Sequence, residues 1–357
     1  MKIKSHRGKY DVIFKQNIRD IIASKDPNFF IVDIEIKKHY PTLFTDIKNV
    51  IYITAKEENK NLEYCSLVIQ ALIKTNIKKN CVLIAVGGGI TQDITCFIAS
   101  TLFRGIDWHF VPTTLLSQAD SCIGSKSSIN FKNIKNLLGN FYPPKKIYCC
   151  SDFLETLPIQ QIKSGLGEIL HFLFIGRSKL LHSFVSDYPN LLNLEPTINT
   201  YIKECLYIKK RTIEKDEFDI GVRRINNFGH TFGHALETAT DYKLSHGQAV
   251  TVGMSIANYI SYNLKYIDHS TYIFNQKIIE VNLPEFNLTK NQTNLFYAAL
   301  KKDKKNINNS LVCILQKKDN NAFWRLNVSS FRITTLEKFT DVKTIINTYF
   351  KDHETSI

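Results

Sequence analysis

The sequence predicts an α/β domain with a Rossmann-like parallel sheet, followed by a mostly α-helical domain. Over residues 1–152, strand-like apolar runs alternate with segments of helical periodicity, which is typical of a parallel sheet with helices packed on it. Over residues 153–357, the periodic segments are helix-like. A length of 357 residues is that of two ordinary domains. We therefore predict that the two domains divide near residue 152.

The predicted strands of the first domain are short and apolar, at residues 29–32, 50–53, 81–86 and 108–111. The run at 81–86 is apolar throughout, which predicts a strand buried on both faces. Two intervening segments, 62–73 and 93–103, place apolar residues on one helical face. In the second domain, four segments have helical spacing: residues 154–173, 198–215, 231–240 and 248–264.

Charge and cysteine content exclude several classes of protein. The formal charge of +13 is scattered in short runs rather than gathered in one tail, so we expect no nucleic-acid partner. The longest apolar stretches are far shorter than a membrane span, and residues 1–7 contain no apolar core of a signal peptide. Eight cysteines without a C-x-x-C pair do not form a secreted disulfide framework. We expect a cytoplasmic protein without membrane contact.

A glycine turn is the first candidate site. Gly87, Gly88 and Gly89 follow the most apolar predicted strand and precede a predicted helix. Glycines allow a phosphate to approach backbone N–H groups, and the start of a helix carries positive partial charge. The spacing is not G-x-G-x-x-G, so a turn required only for packing stays an equal alternative.

Three histidines form the second candidate site. His230 and His234 are four residues apart, which places them on one helical face, and His246 follows within seventeen positions. Catalytic zinc commonly takes three protein ligands and leaves one position open. Glu168, an acid in an apolar predicted helix, is a candidate for a third ligand. Its alternative role is that of a buried acid paired with a cation.

A series of motifs in fixed order then indicates a family. It includes E-x-x-K at 57–60, G-G-G-x-x-x-D at 87–93, F-R-G at 103–105, V-P-T-T-L-L at 111–116, F-L-E-T-L-P at 153–158, G-L-x-E at 165–168, N-x-G-H-T-x-G-H-A-x-E at 227–237, H-G at 246–247 and D-K-K at 303–305. With these motifs the chain resembles the 3-dehydroquinate synthase family of sugar phosphate cyclases. The resemblance covers residues 33 to 305.

The resemblance implies both cofactors and their sites. A catalytic Zn²⁺, with Co²⁺ as an alternative, would be held by Glu168, His230 and His246. NAD would bind the first domain. The positions that match its contacts are Asp33, Glu57, Lys60, Gly88, Gly89, Asp93, Thr113, Thr114, Lys126, Lys135 and Thr156.

The resemblance also implies a substrate and a partner. The family substrate is DAHP, a seven-carbon keto-sugar acid phosphate, and NAD-recycled oxidation, phosphate elimination, reduction and aldol closure convert it to 3-dehydroquinate. The matching catalytic and substrate positions are Asp120, Lys126, Lys135, Asn136, Lys209, Arg223, Asn227, His234 and Lys304. Arg104 matches an arginine that reaches a neighbouring subunit, which implies a homodimer.

Four residues depart from the family pattern. Ser125 and Ile134 replace glycines before Lys126 and Lys135, and Gln92 replaces a glycine of the nucleotide turn. His171 stands where these enzymes usually carry a substrate-facing lysine. Because one helical turn separates it from Glu168, we expect both to face one cavity.

These departures leave more than one function open. The first hypothesis is an authentic 3-dehydroquinate synthase. The second, motivated by His171 and Ser125, is a divergent cyclase that makes a cyclitol from sedoheptulose 7-phosphate or glucose 6-phosphate. The third is a metal-dependent polyol dehydrogenase with net redox, and the last is a binding module without activity.

Overall fold

The computed structural model describes residues 1–15, 17, 28–132, 134–302, 310–317, 331–336 and 339–354. This part of the chain forms two compact units. Unit 1 comprises Met1–Pro158 and Lys209–Phe218, and unit 2 comprises Ile159–Ile208 and Asp219–Ile357. Residues 153–158 and Lys209–Phe218, which we assigned by sequence to the second domain, thus belong to unit 1.

Unit 1 is built on a seven-stranded sheet. Its strands are β1 (Lys2–Ser5), β2 (Gly8–Phe14), β3 (Asn28–Asp33), β4 (Val50–Ile53), β5 (Val82–Gly87), β6 (Trp108–Pro112) and β9 (Lys146–Cys149). They lie in the order β1-β2-β9-β6-β5-β3-β4, and all neighbours are parallel except β1 and β2. A separate hairpin pairs β7 (Ile129–Phe131) with β8 (Ile134–Leu138). The parallel sheet confirms the predicted fold class of this unit.

The strand register brings the predicted nucleotide residues to one edge of the sheet. Three helices accompany the strands: α1 (Ile34–His39), α2 (Leu62–Lys74) and α3 (Gly89–Thr101). Val32 of β3 pairs with Val86 of β5, and Gly87 pairs with Pro112 of β6. Asp33, the glycine turn and Thr113 therefore follow the carboxyl ends of three adjacent parallel strands, where α/β folds bind ligands.

Unit 2 is mostly helical, as predicted. Its helices are α4 (Ile159–Gly176), α5 (Leu180–Leu192), α6 (Ile198–Ile213, whose last turn lies in unit 1), α7 (His230–Ala239), α8 (His246–Asn263), α9 (His269–Glu280), α10 (Lys290–Lys302) and α11 (Phe339–Glu354). Strands β10 (Leu311–Gln316) and β11 (Phe331–Leu336) form an antiparallel pair. Most residues of α4 and α8 are buried, so these two helices contribute strongly to the core of the unit.

One predicted helix begins in the wrong place. The sequence placed a helix at residues 154–173, whereas α4 begins at Ile159, after a 3₁₀ turn at Ser151–Leu154. Pro158 explains the difference, because the residue before a proline is disfavoured in the α-helical region. Within the described ranges, no helix combines the length and hydrophobicity needed to cross a membrane.

Candidate active site

Three helices of unit 2 bring a carboxylate and three histidines together. Glu168 lies in the middle of α4, His230 is the first residue of α7, and His246 is the first residue of α8. His234 follows His230 by one helical turn. The sequence indicated that the histidines share a site and named Glu168 as a candidate ligand, and the helix packing brings Glu168 beside His230 and His246.

Small residues allow the helices to approach closely enough to form this cluster. A Cβ atom on Gly247 would lie 1.7 Å from the carbonyl oxygen of Ser164, and one on Gly167 would lie 2.1 Å from the carbonyl oxygen of Gly247. The backbone N–H of Gly247 donates to Ser164 Oγ at 3.0 Å. Glycine at both positions thus lets α4 and α8 touch beside Glu168 and His246. Gly229, with φ of 77°, turns the chain into α7 just before His230.

The donor atoms of Glu168, His230 and His246 converge on one point. Glu168 Oε1 lies 3.5 Å from His230 Nε2 and 3.1 Å from His246 Nε2. Two ligand atoms on a tetrahedral zinc at 2.0–2.1 Å would be about 3.3–3.4 Å apart. Oε1 is buried and accepts no hydrogen bond from the described part of the chain. A buried anionic oxygen between two imidazole nitrogens fits a divalent cation.

His234 could contribute to the same site. One ring nitrogen each of His230, His234 and His246 lie within 4.8 Å of one another. His234 is exposed, however, whereas the side chain of Glu168 is only 1% exposed. We favour Glu168 as the third ligand, since a carboxylate buried this deeply needs a cation as partner. His234 would then lie beside the ligands without being one of them.

Each histidine ligand is supported from behind through its second ring nitrogen. His230 Nδ1 lies 3.1 Å from the carbonyl oxygen of Phe228, and His246 Nδ1 lies 3.2 Å from Glu237 Oε2. Such contacts fix the tautomer and direct Nε2 toward a metal. Glu237 ends the motif at residues 227–237, but the sequence alone gave it no role. Its position seven residues after His230, on the same helical face, was the available signal.

The charged groups of the cluster shift the pKa values of Glu168 and His246. Burial opposes ionisation of Glu168, but the adjacent His230 and His246 outweigh it and hold the pKa of this carboxyl well below its usual range. Burial also disfavours a protonated His246, yet Glu168 and Glu237 outweigh that effect and hold the pKa of this ring well above its usual range. Without a cation, His246 therefore holds its proton to higher pH than an ordinary histidine does.

His171 lies beside the cluster, with its Nδ1 3.5 Å from Glu168 Oε2 and its ring against His230 at 4.9 Å between centroids. It is fully buried and also contacts Phe172 and Phe228. We expected this side chain to face the same cavity as Glu168. It lies beside Glu168 but has no exposed surface, and a role in recognising substrate stays a prediction.

A second group of predicted residues meets in unit 1 beside the glycine turn. Lys60, which is buried, donates to Asp93 Oδ2 at 3.1 Å and to Asn136 Oδ1 at 2.6 Å. Its Nζ also lies 3.7 Å from Glu57 Oε1. The N–H of Thr113 donates to the carbonyl oxygen of Gly87 at 3.0 Å. Lys60 thus joins two other candidate NAD residues, Glu57 and Asp93, to a substrate candidate, Asn136.

Lys209 and Asp120 form another predicted pair in unit 1. Lys209 Nζ lies 2.8 Å from the Asp120 carboxylate and donates to its carbonyl oxygen at 2.7 Å. With 7% exposure, Lys209 is a fixed cation rather than a mobile surface lysine. The segment of Asp120 is held in turn by Gln92, whose amide exchanges two hydrogen bonds of 2.8 Å with Ser121. The side chain of Gln92, which replaces a glycine of the family pattern, thus forms the contact with Ser121.

Ser125 is a second departure from the family pattern, and its contacts stabilise it. Its φ of 66° lies in the left-handed region, which favours glycine. Its hydroxyl donates to Glu217 Oε1 at 2.6 Å, and the backbone N–H of His6 donates to Glu217 Oε2 at 2.6 Å. The hydrogen bond offsets the strain of this backbone.

The other predicted residues are more dispersed. Asp33 caps α1 by accepting from the N–H of Glu35 at 3.2 Å, Thr114 bonds Ser117, and Thr156 is half-buried beyond its 3₁₀ turn. Arg223 is buried and Asn227 donates to the carbonyl oxygen of Arg224. Three of these remaining residues are exposed: Arg104, Lys126 and Lys135. Ile134, which precedes Lys135, is exposed as well. Lys304 lies outside the described residues.

Comparison with known proteins adds to this geometry. The family model described as 3-dehydroquinate synthase N-terminal matches residues 50–164, and the model described as 3-dehydroquinate synthase C-terminal matches residues 165–306. The 3-dehydroquinate synthase of Clostridium tetani (strain Massachusetts / E88) is 37% identical over 302 residues, which are 83% of this chain and 81% of that protein.

Two solved structures share the fold at low sequence identity. The 2-epi-5-epi-valiolone synthase of Streptomyces hygroscopicus subsp. jinggangensis 5008, with NAD⁺ and Zn²⁺ bound, has a TM-score of 0.83 at 20% identity and covers 96% of this chain and 97% of its own. A 2-deoxy-scyllo-inosose synthase with carbaglucose-6-phosphate, NAD⁺ and Co²⁺ has a TM-score of 0.82 at 21% identity and covers 98% and 99%. Both agree with the predicted fold class.

Proposed function

The chain belongs to the 3-dehydroquinate synthase family, and from this we propose that it converts DAHP to 3-dehydroquinate and phosphate. It is an enzyme of that type, a phosphate-eliminating cyclase. The observation that supports this site most strongly is the approach of Glu168 Oε1 to within 3.1–3.5 Å of two imidazole nitrogens, because one divalent cation would satisfy all three atoms at once.

We assign the metal to Glu168, His230 and His246, with zinc as the first choice and cobalt as the alternative. NAD is assigned to the edge of the sheet formed by the glycine turn, Asp33 and Thr113. When bound, these groups would supply Lewis-acid activation of adjacent substrate hydroxyls and reversible hydride acceptance, so that net redox is zero.

The residues of the chain then bind and orient the substrate. Lys209, which is held by two oxygen atoms of Asp120, provides a fixed positive charge for a phosphate or carboxylate. Arg223 is buried and offers a planar fork that matches the same groups. His234 lies next to the proposed open coordination position, where it can exchange a proton with a substrate hydroxyl.

An assay with catalytic NAD tests this function. Purified protein with Zn²⁺, substoichiometric NAD and DAHP should release phosphate and 3-dehydroquinate in equal amounts over many turnovers, without accumulating NADH. Steady NADH formation would instead indicate a polyol dehydrogenase. Absence of both products, in protein that carries its metal, would overturn the proposal.

A second candidate function rests on His171. Replacement of a lysine by a fully buried imidazole removes one fixed positive charge that a DAHP-specific site would use. We therefore include a divergent cyclase as the alternative, acting on sedoheptulose 7-phosphate or glucose 6-phosphate. Turnover of one of these sugars, with no turnover of DAHP, would establish it in place of the first.

We further infer that the enzyme acts as a homodimer in the cytoplasm, within the pathway that makes aromatic compounds. The dimer is supported by Arg104, which is exposed on an unusual turn. Phe103, Arg104 and Gly105 have φ values of 51°, 62° and 109° in succession. Strain of this kind persists where surrounding contacts or function require it.

A further inference from the structure

We propose that Glu237 is a positioning residue that fixes the ring of His246 and thereby sets the affinity of the metal site. This inference rests on the proposed function, because it takes Glu168, His230 and His246 as the ligands. It assigns to Glu237 a role that the reaction itself does not require, since this carboxylate is not one of the three ligands.

The contact holds His246 at both ring nitrogens. Glu237 lies on α7, two helical turns after His230, and its Oε2 is 3.2 Å from His246 Nδ1. The opposite nitrogen, Nε2, is directed at Glu168 Oε1 at 3.1 Å. The ring therefore lies between two carboxylates, of which one belongs to the proposed metal site and the other stands behind it.

His246 depends on this support more than the other ligands do. Its side chain is 34% exposed, compared with 14% for His230 and 1% for Glu168, so packing restrains its ring least. It is also the first residue of α8, and no side chain caps the start of that helix. Without Glu237, the partly exposed ring would be free to adopt other rotamers, which would cost affinity for the metal.

The chemistry of the contact suits a metal ligand. A histidine that binds metal through Nε2 carries its proton on Nδ1 and donates it to an oxygen acceptor, which fixes the tautomer and raises the basicity of the ring. For His230 the acceptor is the backbone carbonyl of Phe228, which no side-chain substitution removes. For His246 it is Glu237, so this support can be altered by mutation.

The test measures metal affinity rather than turnover. Metal-free Glu237→Ala, Glu237→Gln and unaltered protein would be titrated with Zn²⁺ in competition with a chromophoric chelator, and the visible spectrum of added Co²⁺ would report the ligand geometry. We expect Glu237→Ala to bind Zn²⁺ about 10–100-fold more weakly and to change the Co²⁺ spectrum. Glu237→Gln should lose several-fold, because its amide oxygen is a weaker, uncharged acceptor.

A matched control is Glu204→Gln. Glu204 accepts a hydrogen bond from Ser178 Oγ at 2.7 Å in the same unit but touches no ligand of the cluster in the described contacts. Its substitution should leave Zn²⁺ affinity unchanged, and thermal unfolding of the metal-free proteins would show whether each variant folds.

Each outcome decides the matter. Unaltered Zn²⁺ affinity and Co²⁺ spectrum in folded Glu237→Ala would overturn the proposed role of Glu237. If Glu237→Ala does not fold, unaltered affinity in Glu237→Gln would overturn it equally. Failure of the unaltered protein to bind Zn²⁺ would overturn the metal site, and with it the proposed function, which distinguishes the two failures.

Discussion

At the scale of single residues, His246 must change from a protonated to a neutral ring when a metal binds. In the metal-free protein, Glu168 and Glu237 outweigh the loss of hydration and hold the pKa of this ring well above its usual range, so the ring keeps its proton to higher pH than an ordinary histidine. As a ligand it must be neutral at Nε2. Cation binding therefore has to displace a proton from this residue.

We predict that Zn²⁺ binding at pH 7 releases about one proton and that apparent affinity rises with pH. The sign follows from the raised pKa, because below it protons compete with the metal, and above it that competition ends. Calorimetric titrations in two buffers of different ionisation enthalpy would measure the release. His182→Ala, which alters a ring packed on Phe274 elsewhere in unit 2, should release the same number. Binding enthalpies that do not depend on the buffer would contradict the prediction.

At the scale of elements, the crossing of α4 and α8 positions the site. Gly247→Ala would place a Cβ 1.7 Å from a backbone oxygen of α4, so the helices must separate. We predict a loss of about 1–3 kcal/mol in stability and at least tenfold weaker Zn²⁺ binding, because Glu168 moves away from His246. Denaturant unfolding and chelator competition would measure both effects.

Gly89→Ala is the control for this substitution. A Cβ at Gly89 would meet its nearest neighbour, Ser121 Oγ, at 3.8 Å, which is ordinary van der Waals contact. Metal retention should therefore be unchanged in that variant. Equal metal affinity in Gly247→Ala and the unaltered protein would mean that the crossing does not control the site.

The elements also show which strands and helices could be predicted from the sequence. Periodicity identified β5 and the helices α2, α3, α7 and α8 because each buries a continuous apolar face. It did not identify β1 and β2, where charged residues interrupt the apolar ones, nor β8, whose residues are mostly exposed. A pattern of burial cannot predict a strand that buries little.

For the site, sequence reasoning identified residue types better than contacts. The spacing of His230 and His234 indicated a shared face, while the link from Glu168 to His246 depends on a helix crossing that no local pattern encodes. His171 illustrates the same limit. The spacing of one turn predicted that His171 lies beside Glu168. Its burial depends on packing against Phe172 and Phe228, which the spacing does not predict.

At the scale of the whole molecule, Arg104 tests the proposed homodimer. If its guanidinium serves a partner's site, Arg104→Ala and His246→Ala should each be inactive alone. Equilibrated together in equal amounts, half of the dimers would be mixed and one of their two sites intact, so about a quarter of the activity should return. Sedimentation would establish the dimer independently. Full activity in Arg104→Ala, or none in the mixture, would contradict the prediction.

The hydrogen bond from Ser125 to Glu217 has a consequence for how this sequence could have diverged. A serine in the left-handed region costs on the order of 1–2 kcal/mol, which glycine avoids. Glu217, also bound by the N–H of His6, supplies the acceptor that offsets this cost. We therefore expect the two positions to be coupled: loss of Glu217 would leave the left-handed serine without this hydrogen bond and would favour glycine at position 125.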